Sequence, residues 1–154
     1  MYPYILIFHS LTRWLVLISL ILTISRAYYG WWRQLPFTPL DNSIRHWTAT
    51  IAHIQLTLGI WLYSISPIIR YFLQNYSEAV HQSEIRFFGM EHSVMMLVAV
   101  IMITVGSAKA KRKKSDDEKF KTIAIWMTIG LILILTSIPW AFSTFVSRPY
   151  FRFF

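Results

Sequence analysis

Apolar residues along the chain fall into four long hydrophobic segments separated by polar connections. The segments cover residues of about 4–25, 47–66, 87–107 and 122–142 in a chain of 154. Each is close to the roughly 20 residues with which a helix crosses a hydrocarbon layer of about 30 Å. Because backbone polar groups must be satisfied internally in lipid, every segment is expected to be helical. The pattern predicts an all-α fold: one domain, 1–154, forming a transmembrane four-helix bundle.

The basic residues are divided unequally between the two ends of this predicted bundle. The first connection carries three Lys or Arg residues and the third carries seven, whereas the opposite side has four. Cytoplasmic loops of membrane proteins are enriched in Lys and Arg. The connections between segments 1 and 2 and between segments 3 and 4 are therefore expected to be cytoplasmic, with both termini outside (N-out/C-out).

The net charge of +8 raises the possibility of nucleic-acid binding, above all at the basic run KAKRKK of residues 109–114. Such a run can bind nucleic acid or anionic lipid, but here it also accounts for the orientation of the chain. We therefore expect the lipid bilayer, and no nucleic acid, as a partner. The residues SDDE at 115–118 predict an N-cap and an acidic first turn for the fourth helix.

The composition excludes several kinds of chemistry. Only 14% of the residues are charged, against roughly 25% in an ordinary soluble domain. Without cysteine the chain can have no disulfide, thiolate zinc site, iron–sulfur cluster or covalently attached c-type haem. Nucleotide-binding and hydrolase motifs are also missing. The sequence is more consistent with an electron carrier or a subunit than with a stand-alone enzyme.

Ionisable residues within the hydrophobic segments are candidate functional groups, because their burial in lipid is costly. His9 and His92 each lie five residues inside the outer end of their segments, which corresponds to about 8 Å of helix. His53 lies about 14 residues below Pro67, or roughly 20 Å of helix, so it is too deep to share one metal with both. His9 and His92 are therefore the pair expected to face each other.

Two imidazoles at one depth on different helices are suited to axial ligation of haem b iron. Arg13, one turn below His9, or Arg86, at the outer end of the third segment, would supply a cation for the haem propionates. The alternative is that the histidines only form hydrogen bonds between helices.

Two other ligands are compatible with the same residues. Copper would be held by His92 with the thioethers of Met95 and Met96, and His53 is an alternative metal ligand. A quinone would be bound, or protons relayed, by His53, Gln55 and Glu91. Neither ligand has a sharper signature in the sequence than the histidine pair.

The distribution of polar residues predicts two further surfaces. Polar residues recur at helical spacings of four, three, four and seven positions in and just before the second segment, and are expected to face the interior of the bundle: His46, Thr50, His53, Thr57 and Ser64. The amphipathic connection 67–88 is expected to lie along the outer membrane boundary, or to dock against a larger respiratory or membrane complex. In the second case the protein would be an accessory or assembly subunit without redox chemistry.

Several motifs resemble a family of small four-helix membrane proteins from Bacteroidetes-type bacteria that are commonly labelled "cytochrome b". They are His9-x-x-x-Arg13-Trp14, Ala52-His53-x-Gln55 and Glu91-His92, followed by IPWAF from residue 138. The resemblance extends over nearly the whole chain. It implies a haem-binding protein of the bacterial inner (cytoplasmic) membrane, with a role in electron transport or the respiratory chain.

Overall fold

The computed structural model describes residues 1–140, and every regular element in that range is helical. The helices are α1 (Tyr2–Trp32), α2 (Pro39–Ile65), α3 (Pro67–Gln74), α4 (Tyr76–Ala79), α5 (Ser83–Arg86), α6 (His92–Arg112) and α7 (Asp116–Ser137). A π-helical turn, Phe87–Glu91, joins α5 to α6. The end of the predicted fourth segment, together with Arg148 and Arg152, lies outside the described residues.

The four long helices, α1, α2, α6 and α7, overlap the four hydrophobic segments, and most of them are longer than the segments. By length and composition, α1, the continuous stretch 83–112 and α7 can each cross a membrane. The pair α2 and α3, bent by 60°, would be a fourth span if it is counted as one. The bend occurs where Pro67 begins α3, directly after the hydrophobic segment 47–66.

The four long helices are arranged so that each has two neighbours. Helix α1 packs against α2 and α7, and α6 packs against α7 and, less extensively, against α2. Close approach of α6 and α7 depends on small residues. A Cβ atom on Gly106 would collide with the Trp126 side chain, and one on Gly130 would lie 2.7 Å from Ile103 Cγ1.

Helix ends near the loops are fixed by side-chain caps. Ser115 accepts a hydrogen bond from the Glu118 N–H, and Asp116, Asp117 and Glu118 form the first turn of α7, so the predicted N-terminus of this helix is confirmed. The N-terminus of α2 has a capping box in which Thr38 and Asp41 bond each other's backbone N–H. Asp41 also accepts a hydrogen bond from Arg26 Nε at 2.6 Å, and this ion pair connects α1 to α2.

A tightly packed core occupies the end of the structure that carries these caps. Leu20, Ile103, Phe120 and Met127 are completely buried there. Arg45 is one of the three basic residues of the first predicted connection, but it is buried at this end of the structure. Its guanidinium donates to the carbonyl oxygen of Ser107 at 3.0 Å and to the Ser107 hydroxyl. Toward the opposite end, the helices separate around a cavity.

Candidate functional site

The cavity lies mainly between α1, α2 and α6 and has a volume of about 610 Å³. That is within the roughly 300–1,000 Å³ typical of sites for small molecules and cofactors. Most of the side chains around it are aliphatic, with Val16, Ala52 and Val100 among the buried ones. Its polar lining includes both His9 and His92. The structure therefore brings the two histidines of matched depth to one cavity.

His9 is held against α2 by Gln55 and Gly59. The Gln55 side-chain amide donates to the His9 carbonyl at 2.9 Å, and its nitrogen lies 3.4 Å from His9 Nε2. Gly59 faces the imidazole: a Cβ there would lie 3.3 Å from His9 Cε1. His9 Nδ1 is buried and has no hydrogen-bond partner among residues 1–140. A buried imidazole nitrogen in this condition is a candidate for a ligand contact.

Among the described residues, His92 makes one hydrogen bond, from Nδ1 to the Ser137 carbonyl at 2.7 Å. A carbonyl oxygen can only accept, so Nδ1 is the protonated nitrogen and Nε2 of the neutral ring keeps its lone pair. Donation from the far ring nitrogen to a backbone carbonyl is the usual way in which proteins orient a metal-binding histidine. The contact fixes His92 between α6 and the end of α7.

The π-helical turn directly before His92 is held by two aromatic residues. Tyr63 on α2 donates its hydroxyl to the Gly89 carbonyl at 3.0 Å. The Phe72 ring packs on the same glycine, so closely that a Cβ on Gly89 would lie 2.5 Å from Phe72 Cγ. Turns of this kind inside α-helices occur frequently at functional sites. Here the turn that precedes His92 is thereby fixed to α2 and α3.

Of the two arginines expected near the ligand, only Arg13 lines the cavity. Its guanidinium carbon lies 5.3 Å from the centre of the Trp14 ring. Arg86 instead pairs with Glu91, with 2.7 Å between Nε and Oε1, and also donates to the Val80 carbonyl at 3.1 Å. Neither Arg86 nor Glu91 contributes to the cavity wall.

His53 lies outside the cavity, on an exposed part of α2, and its Nε2 is 2.8 Å from Thr104 Oγ1 of α6. His46, Thr57 and Ser64 are exposed as well. The prediction that this polar stripe faces the interior is therefore wrong. The interior face of α2 is a different one, which carries Ala52, Gln55, Gly59 and Tyr63.

Gly59 and Tyr63 were missed in the sequence because neither is ionisable. Together with Ala52 and Gln55 they recur at spacings of three and four, which is the signal that would have identified this face. The stripe that contains two histidines has the same period, and helical spacing alone does not show which of two stripes is buried.

Of the two proposed thioether partners of His92, Met96 lines the cavity and Met95 does not. Within the part of the chain that the structure describes, no three His, Asp or Glu residues come together as candidate ligands of a metal ion. The cavity thus offers separate imidazoles on different helices.

Comparisons of the chain with protein-family models, with curated proteins and with solved structures find no match. The functional argument rests on the geometry of this cavity.

Proposed function

We propose that the protein binds a b-type haem between His9 and His92 and acts as an electron carrier or as a small haem subunit of a respiratory assembly. The observation that carries the proposal is that these histidines, from α1 and α6, line the same cavity of about 610 Å³. Axial ligation by histidine is a common way of holding haem iron.

The donor groups fit a haem in three respects. His92 keeps its Nε2 lone pair because Nδ1 donates to Ser137, and His9 Nδ1 is buried without a hydrogen-bond partner among residues 1–140. The aliphatic walls match the apolar faces of a porphyrin. Arg13 lines the same cavity and would provide positive charge for a propionate.

When bound, the haem would supply one-electron redox chemistry at its iron. The protein's part is to hold and orient it. His9 and His92 would bind the metal, Gln55 and the Ser137 carbonyl would keep the two imidazoles in place, and the aliphatic walls would exclude water. Imidazoles oriented by such hydrogen bonds, in surroundings of low polarity, would tune the redox potential of the iron.

The membrane arrangement belongs to the same proposal. We infer a transmembrane four-helix bundle in a bacterial inner membrane, with both termini on the outer side. The excess of Lys and Arg in connections 1–2 and 3–4 supports this orientation. The haem would then lie in the outer half of the bilayer.

The test is the reduced-minus-oxidised absorption spectrum of the purified protein, with and without added haem. We expect a b-type α-band in the wild type, and its loss or weakening in His9→Ala and His92→Ala. His46→Ala and His53→Ala are matched controls, because these histidines are exposed and lie outside the cavity. A wild-type protein without the band, or equal spectra for all four variants, would remove the proposal.

A second candidate, an accessory subunit of a larger membrane complex, is favoured by the exposed polar stripe of α2. Polar groups that face lipid are costly, and a helix of another subunit packed on this stripe would cover His53, Thr57 and Ser64. Purification in mild detergent distinguishes the two functions. A stoichiometric partner without a bound chromophore supports the accessory subunit, whereas a chromophore in the isolated chain supports the haem protein.

A further inference from the structure

The cavity is closed on one side and open on another. Toward α7 the lining side chains Ile134 and Ile138 are buried, as is Val16 of α1. Toward the α2–α6 side, three aliphatic residues that line the cavity are largely exposed: Ile60 is 61% exposed, Val94 52% and Leu97 47%. A mouth therefore lies between α2 and α6, where the long helices pack least extensively.

The position of this mouth along the helices determines what lies outside it. Ile60 is seven residues before Pro67, and Val94 is seven residues after Phe87. Both distances correspond to about 10 Å of helix, so the two residues stand at matching depth. That depth is inside the hydrocarbon layer if the apolar segments span the membrane. The mouth then opens to lipid, and a ligand dissolved in water has no direct access to it.

We propose that the mouth formed by Ile60, Val94 and Leu97 is a lateral portal through which the cavity takes up its ligand from the outer half of the bilayer. The ligand class is a flat, amphiphilic molecule that partitions into membranes, with haem as the occupant. This inference rests on the proposed function. The aliphatic rim suits the passage of an apolar ring, and the polar groups that would hold it, His9, Gln55 and His92, lie on the cavity wall.

The experiment measures the rate of haem uptake by the full chain in lipid nanodiscs. Haemin is first dissolved in protein-free vesicles and then mixed with haem-free protein, and the Soret band of the histidine complex is followed over time. Ile60→Trp and Val94→Trp add bulk at the rim. Ile18→Trp and Ile101→Trp are matched controls on exposed positions of α1 and α6 that do not line the cavity.

We expect the two rim variants to take up haem about tenfold more slowly, within the range over which substitutions change association rates, while the final spectrum is unchanged. The two controls should match the wild type. Equal rates in all four variants overturn the portal. Rim variants that change the oligomeric mass on size exclusion without slowing uptake overturn it as well, because they identify the mouth as an interface with another chain.

A second pair of variants tests the portal even if the tryptophan substitutions disturb the fold. Ile60→Ala and Leu97→Ala widen the rim without filling the cavity, and should accelerate uptake several-fold. An unchanged rate in both refutes the portal. Failure of the proposed function is distinguishable, because the wild type would then form no histidine complex with haem at any rate.

Discussion

The ion pair between Arg26 and Asp41 provides a sharp test of how α1 and α2 are held together. The side chain of Asp41 is 2% exposed and accepts two hydrogen bonds from Arg26, one from Nε at 2.6 Å and one from Nη2 at 3.2 Å. Its other contacts are the Thr38 N–H at 2.9 Å and the Thr38 hydroxyl at 2.7 Å. Asp41→Asn keeps the size of the side chain and one acceptor oxygen, but removes the charge.

The magnitude follows from the bonds that change. A hydrogen bond to a charged group contributes about 1.5–3 kcal/mol, and a neutral one about 0.5–1.5 kcal/mol. Two bonds from Arg26 are affected, while the asparagine oxygen can still accept from Thr38. The Arg26 side chain is one-third exposed, so water compensates for part of the loss. We expect Asp41→Asn to lower the free energy of unfolding by about 1–2 kcal/mol.

The assay is reversible unfolding in mixed micelles of a non-ionic detergent and dodecyl sulfate, followed by circular dichroism. Asp117→Asn is the control, because Asp117 is an exposed residue of the first turn of α7, where a change within about 0.5 kcal/mol is expected. A double-mutant cycle with Arg26→Gln should give a coupling of about 1 kcal/mol. Equal effects of the two Asp→Asn variants, or strict additivity in the cycle, would refute the reasoning.

Three further predictions concern packing, the site and the orientation. Gly106→Ala should lower the free energy of unfolding by about 1–3 kcal/mol in the same assay, because the new methyl group collides with Trp126. Gly59→Ala is the control and should change the stability less, because its methyl group has more room. Gln55→Leu should weaken haem binding about tenfold in a haem titration, because Gln55 positions His9. Gln74→Leu, at an exposed position, is the control and should bind haem as the wild type does. Equal affinities of the two variants would contradict the positioning role. The orientation can be tested by labelling single introduced cysteines, because the chain has no native cysteine that would react. A membrane-impermeant maleimide applied to intact cells should label Ser77→Cys and not Lys114→Cys. The reverse pattern would contradict the N-out topology.

The sequence indicated one half of the candidate site and missed the other. Counting residues from the segment ends placed His9 and His92 at one depth, and the structure has both on one cavity. Depth can be counted because a helix rises by a constant amount per residue. The haem itself remains a proposal. The supporting residues Gly59 and Tyr63 were not identified, since they act through shape and through a backbone carbonyl, and neither contribution has a distinctive residue pattern.

Local sequence determined where the helices are. The apolar runs, the proline at position 67 and the Ser115 cap each act through their immediate neighbours in the chain, so they could be interpreted without a three-dimensional structure. Which side of each helix is buried was decided only by the packing of the helices. In a membrane both sides of a helix can be apolar, so hydrophobicity does not distinguish them, and the polar stripe with His53 was assigned to the wrong side. The partners of Arg86, Arg45 and His92, and the mouth between α2 and α6, depend in the same way on contacts between distant residues, which the tertiary structure alone defines.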